Sequence, residues 1–384
     1  MTLGMQYHSL PVKIIRGGSS KGVFIRQDAL PPPGPERDQL ALRLFGSPDI
    51  RQIDGLGGAD KLTSKLAVMG TPTRGDCDIS YLFAQVGTEF ADVDWSSNCG
   101  NISAGAALFA ALDRVGRIEN EMRHIQIEQA NTGRRLGVKV PLLGDDPIRS
   151  GVFEIGGVPG TGPKIELEFA DFAGSCLGHG LFPTGNRKES LCFTDGTSLT
   201  VTIIDMANLN ILVRAIDVGI DATSSLHQMQ QDPKLLQRLD QIREAVSMQL
   251  GLAVAETASD FIRRSVNPLV NILTEPRPFR TLNGTFVARE SHDLFACSYA
   301  RGAFSRAFPG TGAIGTAIAA CISGTLAEVY GAGAGIRDEI RIGHPSGCLA
   351  VAAEVIASDT DLNVRQANIG RTARLLIDGT AYLD

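Results

Sequence analysis

Two stretches of this 384-residue chain constrain its fold more than any other: Ile102–Val115 and Thr311–Ser323, both helical in pattern and apolar on nearly every side. A helix without a polar face has to be buried all round. Each follows a small polar turn containing glycine, Asn98-Cys99-Gly100-Asn101 in the first case and Pro309-Gly310-Thr311-Gly312 in the second. The recurrence predicts two similar domains, each a sheet wrapped around a central helix, with the two helix starts facing one cleft. Taken alone, these residues also fit two unrelated buried helices with glycine caps.

The rest of the chain supplies sheet. Short β-type runs (Val12–Ile15, Ile79–Val86, Ile125–Ile127, Leu199–Ile204, Ile211–Ala215) alternate with turns drawn from 43 glycines. Further helical stretches are Asp38–Phe45, Pro233–Leu250 and Gln366–Leu376. The expected class is α+β. A chain of 384 residues exceeds what one core usually serves, so two domains are expected. The polar stretch Pro183–Thr197 divides them into residues 1–188 and 189–384, with the last segment able to pack back on the first domain. Pro31–Pro35 is a stiff exposed loop within the first domain.

Charge and cysteine usage exclude several function classes. The net charge is -6 and neither Lys nor Arg forms a long run, which argues against nucleic acid and anionic lipid as partners. An anionic ligand would need a local concentration of donors. Seven cysteines, odd in number and without a Cys-x-x-Cys pair, suggest neither a disulfide framework nor a zinc site. No basic segment leads into an apolar stretch at Met1–Lys13, and no run of about 18 apolar residues occurs, so a cytoplasmic protein outside the membrane is expected.

Five segments are candidates for chemistry. Arg16-Gly17-Gly18-Ser19-Ser20-Lys21-Gly22 is a flexible turn able to aim N–H and hydroxyl donors at an anion, and it does not match a Walker A loop. Asp54–Asp60 carries glycines in the wrong spacing for a dinucleotide fingerprint; it leads into Thr63-Ser64-Lys65, where burial would favour the neutral amine that a general base requires. Cys99 stands where the helix dipole and the free N–H groups of a first turn favour thiolate, and the same donors suit a carboxylate or an enolate oxygen. Gly310-Thr311-Gly312-Ala313 and Gly343-His344-Pro345-Ser346-Gly347 can add further donors. Neither matches Gly-x-Ser-x-Gly, which disfavours a serine hydrolase. Most lysines stay in water and most free cysteines are inert core residues. The residues alone therefore leave both possibilities open for Lys65 and Cys99.

Together, Arg16–Gly22, Asp54–Val68, Ser97–Asn101 and Gly343–Gly347 resemble the 2-methylaconitate cis-trans isomerase (PrpF) family. Further matches are Gly46–Asp49, Asn131–Gly133, Gly156–Thr161, Pro183–Asn186 and Arg371–Arg374, so the likeness spans nearly the whole chain. The resemblance implies a diaminopimelate epimerase-like fold with two pseudo-symmetric domains. It implies Lys65 and Cys99 as acid–base groups and needs no nucleotide, flavin or metal. Ser19, Ser20, Thr63, Ser64, Asn98, Gly100, Asn101, Thr311, Gly312, His344 and Ser346 are the expected substrate-binding groups. Two-thiol epimerases of this superfamily carry a second cysteine at the second helix, where this chain has Thr311-Gly312-Ala313. The expected reaction is accordingly a 1,3-proton shift on a small unsaturated polycarboxylate such as 2-methylaconitate or aconitate. Alternatives are a 4-oxalomesaconate tautomerase and a non-catalytic carboxylate-binding accessory to an aconitase-like dehydratase. A homodimer is compatible with either.

Overall fold

The structure, a computed structural model, describes residues 8–193, 195–221, 224–330, 339–357 and 362–383. The chain divides into two compact units. One comprises the described residues of Met1–Glu154, Gly160–Leu167 and Arg371–Asp384; the other comprises those of Ile155–Pro159 and Glu168–Gly370.

The first unit contains β1 (Ser9–Gly17), β2 (Ser20–Arg26), α1 (Pro35–Phe45), β3 (Lys65–Gly70), β4 (Ile79–Val86), β5 (Val93–Asp94), α2 (Gly100–Leu112), β6 (Arg117–Glu119), β7 (Met122–Gln129) and β8 (Arg134–Leu143). β1 pairs antiparallel with β2, β2 parallel with β3, β3 antiparallel with β4, β4 parallel with β7, and β7 antiparallel with β8. The strand Ala373–Tyr382 closes the far side of β1. Helix α2 touches β1, β2, β3, β4, β7, β8 and that last strand. Every residue from Gly100 to Ala111 is buried, as the apolar circumference requires. Ile102 and Phe109 are each worth roughly 1.5–3 kcal/mol in removed apolar surface.

The second unit repeats this order. Ser198–Met206 pairs antiparallel with Asn208–Arg214, which runs parallel to Leu269–Thr274. That strand is antiparallel to Leu294–Ala300, which is parallel to Ile340–His344, itself antiparallel to Gly347–Ala357. The helix Gly310–Ala320 is buried throughout and occupies the place that α2 holds in the first unit. Cys99 is the N-cap of α2 and Pro309 the N-cap of the second helix, so the topological counterpart of the thiol is a proline. Gly105 and Gly315 fall at the same position of their helices and let neighbouring strands approach: a Cβ there would lie 2.4 Å from the Phe24 ring and 2.6 Å from Asn210 Nδ2, respectively.

One helical expectation is overturned. Gln366–Leu376 forms parts of two strands, Leu362–Arg371 and Ala373–Tyr382, instead of a helix. Ala367, Ile369 and Arg371 are buried while Asn368 and Gly370 are partly open, a period of two and not 3.6. The first of these strands pairs with Gly347–Ala357 and the second with β1.

Candidate active site

The β1–β2 hairpin turn lies directly on the start of α2. A Cβ on Gly17 would come within 2.4 Å of the Asn101 carbonyl oxygen and 2.8 Å of the Gly105 nitrogen, so only glycine allows this backbone-to-backbone approach. Gly18 turns the chain at φ 51°. Behind the turn, Asn101 Nδ2 donates to Ser19 Oγ at 3.1 Å and to Ser20 Oγ at 3.5 Å. Gly22, in β2, lies between the first turn of α2 and the start of β3: a Cβ there would sit 3.0 Å from Ile102 Cδ1 of α2 and 3.1 Å from the Lys65 carbonyl.

Cys99 is buried, at 9% exposure. Its carbonyl accepts from the Ser103 nitrogen at 2.9 Å and from Ser103 Oγ at 3.0 Å, and its side chain makes no capping bond. The sulfur is thus not consumed by the helix it begins. Ser97, Asn98, Gly100 and Asn101 around it are buried as well. The approach to Cys99 is fixed by Asn131, whose Nδ2 donates to the carbonyls of Phe83 and Trp95 at 2.8 and 2.7 Å and whose Oδ1 accepts from the Phe83 nitrogen at 2.8 Å. That is the local reason for the Asn131-Thr132-Gly133 motif.

Lys65 opens β3 at 7% exposure, with its Nζ over the Phe83 ring at 5.0 Å and donating to Gln85 Oε1 at 2.8 Å. Gln85 cannot turn its amide over without loss, because its Nε2 donates to the Ser64 carbonyl at 3.0 Å. The oxygen is therefore held toward Lys65. The preceding loop is organised by Gln52, a buried residue: its Oε1 accepts from the Ala59 nitrogen at 2.9 Å and from Ser64 Oγ at 2.6 Å, and its Nε2 donates to Ser47 Oγ at 3.0 Å. The Ser64 hydroxyl is turned into this loop, and Thr63 Oγ1 donates to the Asp60 carbonyl at 3.2 Å.

Arg371 completes this cluster and was not singled out for a role by the sequence. Its Nε donates to Asn101 Oδ1 at 3.1 Å. Burial lowers the Arg371 guanidinium to about 10, with Cys99 acting in the opposite sense. Tyr81, on the α2-facing side of β4, is driven well above the usual phenol range by burial and, second, by Cys99. Arg371 belongs to a matched motif, Arg371–Arg374, but an expected helix through these residues concealed the corner that carries it to Asn101. Gln52 and Gln85 carried no signal in sequence beyond being amides in otherwise apolar or glycine-rich surroundings.

In the second unit the helix start is satisfied from the opposite direction. Asn208, first residue after the hairpin turn, donates through Nδ2 to Thr311 Oγ1 at 3.0 Å. Asn271 Nδ2 donates to Asn210 Oδ1 at 3.0 Å, and a Cβ on Gly312 would be 3.3 Å from Asn271 Oδ1. His344 is buried and its Nδ1 accepts from the Ser346 nitrogen at 3.2 Å. Ser346 Oγ donates to the Arg306 carbonyl at 2.6 Å. All seven cysteines are free thiols. Among the described residues no group of three or more His, Cys, Asp or Glu is arranged to hold a metal.

The chain is 36% identical over 376 residues to the 3-methylitaconate isomerase of Eubacterium barkeri, covering 98% of this chain and 97% of that protein. It is 36% identical over 382 residues to the 2-methyl-aconitate isomerase of Cupriavidus necator, with 96% of each covered. A crystal structure of methylitaconate-delta-isomerase superposes with a TM-score of 0.79 at 36% identity, covering 97% of this chain and 95% of that one. A hydroxyproline epimerase from Agrobacterium vitis, at 10% identity and a TM-score of 0.57 over 99% of this chain and 94% of its own, shares the fold alone. The architecture is the diaminopimelate epimerase-like one. The family model described as PrpF protein matches residues 7–384, and the chain belongs to the PrpF family.

Proposed function

We propose that this isomerase moves the carbon–carbon double bond of a small unsaturated di- or tricarboxylic acid, such as 2-methylaconitate or aconitate, with Lys65 and Cys99 as its acid–base pair. One of the two removes a proton from a carbon flanked by the double bond and a carboxylate. The C–H electron pair spreads over the three-carbon unit and onto carboxylate oxygen. A proton from the other group then returns two carbons away, so the double bond shifts with no net gain or loss of atoms or electrons. Each group ends in the protonation state opposite to that in which it began, and exchange with solvent resets them.

Support comes chiefly from Gly22, where the Lys65 backbone and the first turn of α2 meet across a residue with no side chain. Free N–H groups of a helix start and the neighbouring hydroxyls of Ser19 and Ser20 suit the negative charge that develops on substrate oxygen. Asn98, Gly100 and Asn101 belong to the same proposed binding set. So do Thr63 and Ser64, whose hydroxyls have protein acceptors, Asp60 and Gln52. Thr311, Gly312, His344 and Ser346 are proposed as binding groups of the second unit, which a raised KM in Thr311→Val checks. Pro309 at the counterpart of Cys99 offers no second thiol, in keeping with isomerisation and against two-thiol epimerisation. A cytoplasmic location suits the seven free cysteines.

The test is incubation of the protein with a panel of methylaconitate, aconitate, methylitaconate and oxalomesaconate in deuterated water, followed by proton NMR. Deuterium should enter the substrate at the carbons that exchange the double bond, and Lys65→Ala and Cys99→Ala should each abolish it. Full activity in both variants, or tight binding with no exchange, would sink the assignment.

A further inference from the structure

Beside α1 the first unit holds a cavity of about 460 Å³, within the roughly 300–1,000 Å³ of small-molecule sites. Its floor is sheet: Val68 and Leu82 are paired across β3 and β4, and Ser80 and Glu128 across β4 and β7. These side chains leave the sheet on the face opposite to the one that carries Lys65 and Phe83, so the cavity is separate from the acid–base pair proposed above. Pro31, Pro32 and Pro33 form an apolar wall. Arg37, in the first turn of α1, is the single cationic side chain of the lining among the described residues. Its guanidinium carbon lies 4.1 Å from the centre of the Trp95 ring, and its Nε is buried without a hydrogen-bond partner among those residues. Asp38, the neighbouring carboxylate, accepts from Trp95 Nε1 at 2.8 Å. Buried donors are ordinarily bonded. Arg37 thus has an unspent donor, and the aromatic face fixes the orientation of its fork.

On the floor, Glu128 accepts from the Thr73 nitrogen and, at 2.6 and 3.3 Å, from Thr73 Oγ1 and the Arg74 nitrogen. Burial pushes the Glu128 carboxyl up, yet these donors outweigh it and hold the group below the usual carboxylate range, so it is ionised at neutral pH. The cavity therefore combines one cation with donors to spare, one fixed negative charge and a wall of proline rings. A single carboxylate can take parallel N–H groups of a guanidinium. A second carboxylate on the same small molecule would meet the charge of Glu128. We propose that this cavity is an accessory binding site for a small monocarboxylate with an apolar body, the carboxylate on Arg37 and the body against Pro31, Pro32 and Pro33. Polycarboxylates, including the substrates proposed above, are turned away by Glu128. The site stands whether or not Lys65 and Cys99 are the acid–base pair.

Trp95 is the only tryptophan of the chain, so its indole N–H gives one resonance in a proton–nitrogen NMR spectrum, and that ring is the platform under Arg37. The probe is cyclohexanecarboxylate. Titrated into the wild type, it should shift the indole resonance saturably with a midpoint of about 1 mM. Cyclohexylmethanol, which keeps the ring and loses the charge, should need at least about 10-fold more. Arg37→Met should raise the carboxylate midpoint by at least about 10-fold. Tricarballylate, a saturated tricarboxylate, should leave that midpoint in place when added at equal concentration. No saturable shift up to about 20 mM, an unmoved midpoint in folded Arg37→Met, or competition by tricarballylate would each overturn the proposal. Should Arg37→Met not fold, the wild-type series decides: cyclohexylmethanol binding as tightly as cyclohexanecarboxylate would remove the need for a cation. No substrate is turned over in this titration, so its failure leaves the isomerase assignment untouched, and loss of that assignment leaves the titration as it stands.

Discussion

Replacing Gln85 by glutamate changes one atom of the Lys65 surroundings and reverses the logic of that contact. Lys65 Nζ lies 2.8 Å from Gln85 Oε1. A full negative charge at that distance would attract an ammonium by about 6 kcal/mol at an effective dielectric of 20. Burying the new carboxylate costs several kcal/mol of this. The net expectation is about 1.4–4 kcal/mol in favour of protonated Lys65, which, with Lys65 in the proposed acid–base pair, moves its limb of the pH–rate profile upward by about 1–3 pH units. The sign is the same in both catalytic roles, but the limb differs. If Lys65 acts as the neutral base, the acid limb of kcat/KM rises and the rate at pH 7 falls about 10- to 1000-fold. If it acts as the charged acid, the alkaline limb rises and the rate at pH 7 holds. Gln85→Glu also removes the donor to the Ser64 carbonyl at 3.0 Å, so a loss of about 1–3 kcal/mol in denaturant unfolding is expected alongside. Gln85→Met, which lacks both the acceptor and the charge, serves as control and should lower that limb, never raise it by more than about 0.5 pH unit. The reasoning is refuted if neither limb of folded Gln85→Glu moves by more than that.

Further expectations concern stability and reactivity. Gly17→Ala forces a methyl to 2.4 Å from the Asn101 carbonyl and should cost about 1–3 kcal/mol in urea unfolding, with kcat falling because the start of α2 must shift. Arg243 is fully buried and donates to the carbonyls of Ile262, Ser265 and Pro268 at 2.6, 2.8 and 2.8 Å; Arg243→Met leaves these acceptors bare and should lower stability by more than about 3 kcal/mol in calorimetry. The Cys297 thiol is pushed up to about 12 by burial, so it should resist iodoacetamide between pH 7 and 9 and react once denaturant is added. Labelling of Cys297 in the native protein at the rate of Cys192 would contradict its burial.

The fold was legible wherever one periodicity left no choice. Ile102–Val115 and Thr311–Ser323 announced buried helices because no polar face existed to meet water, and both are enclosed as expected. Ile79–Val86 was equally plain as a strand. Gln366–Leu376 misled because Gln366, Asn368 and Arg371 dilute the apolar positions until either period fits; pairing with β1 and with Gly347–Ala357 decides the matter, and such partners lie far away in sequence. The same distance explains which parts of the site stayed hidden. Cys99 carries its environment in its neighbours, whereas Arg371 gains significance only when a corner far along the chain delivers it to Asn101. Gln52 and Gln85 act through hydrogen bonds that no local pattern encodes. Pro309 gave no sign of being the counterpart of Cys99 until the repeated strand order aligned the two helix caps.

That the first unit includes Arg371–Asp384 sets the order in which the protein can be finished. As the chain leaves the ribosome, β1 waits without its outer neighbour and Asn101 without its guanidinium while everything from Ile155 to Gly370 is made. At roughly 5–20 residues per second, the 216 residues between Glu154 and Arg371 take about 10–40 s. A nascent or truncated chain ending at Gly370 would already contain Lys65, Cys99 and the entire second unit, yet lack the closing strand and the guanidinium that holds Asn101. The start of α2 therefore gains its last partners only after the entire second unit has been made.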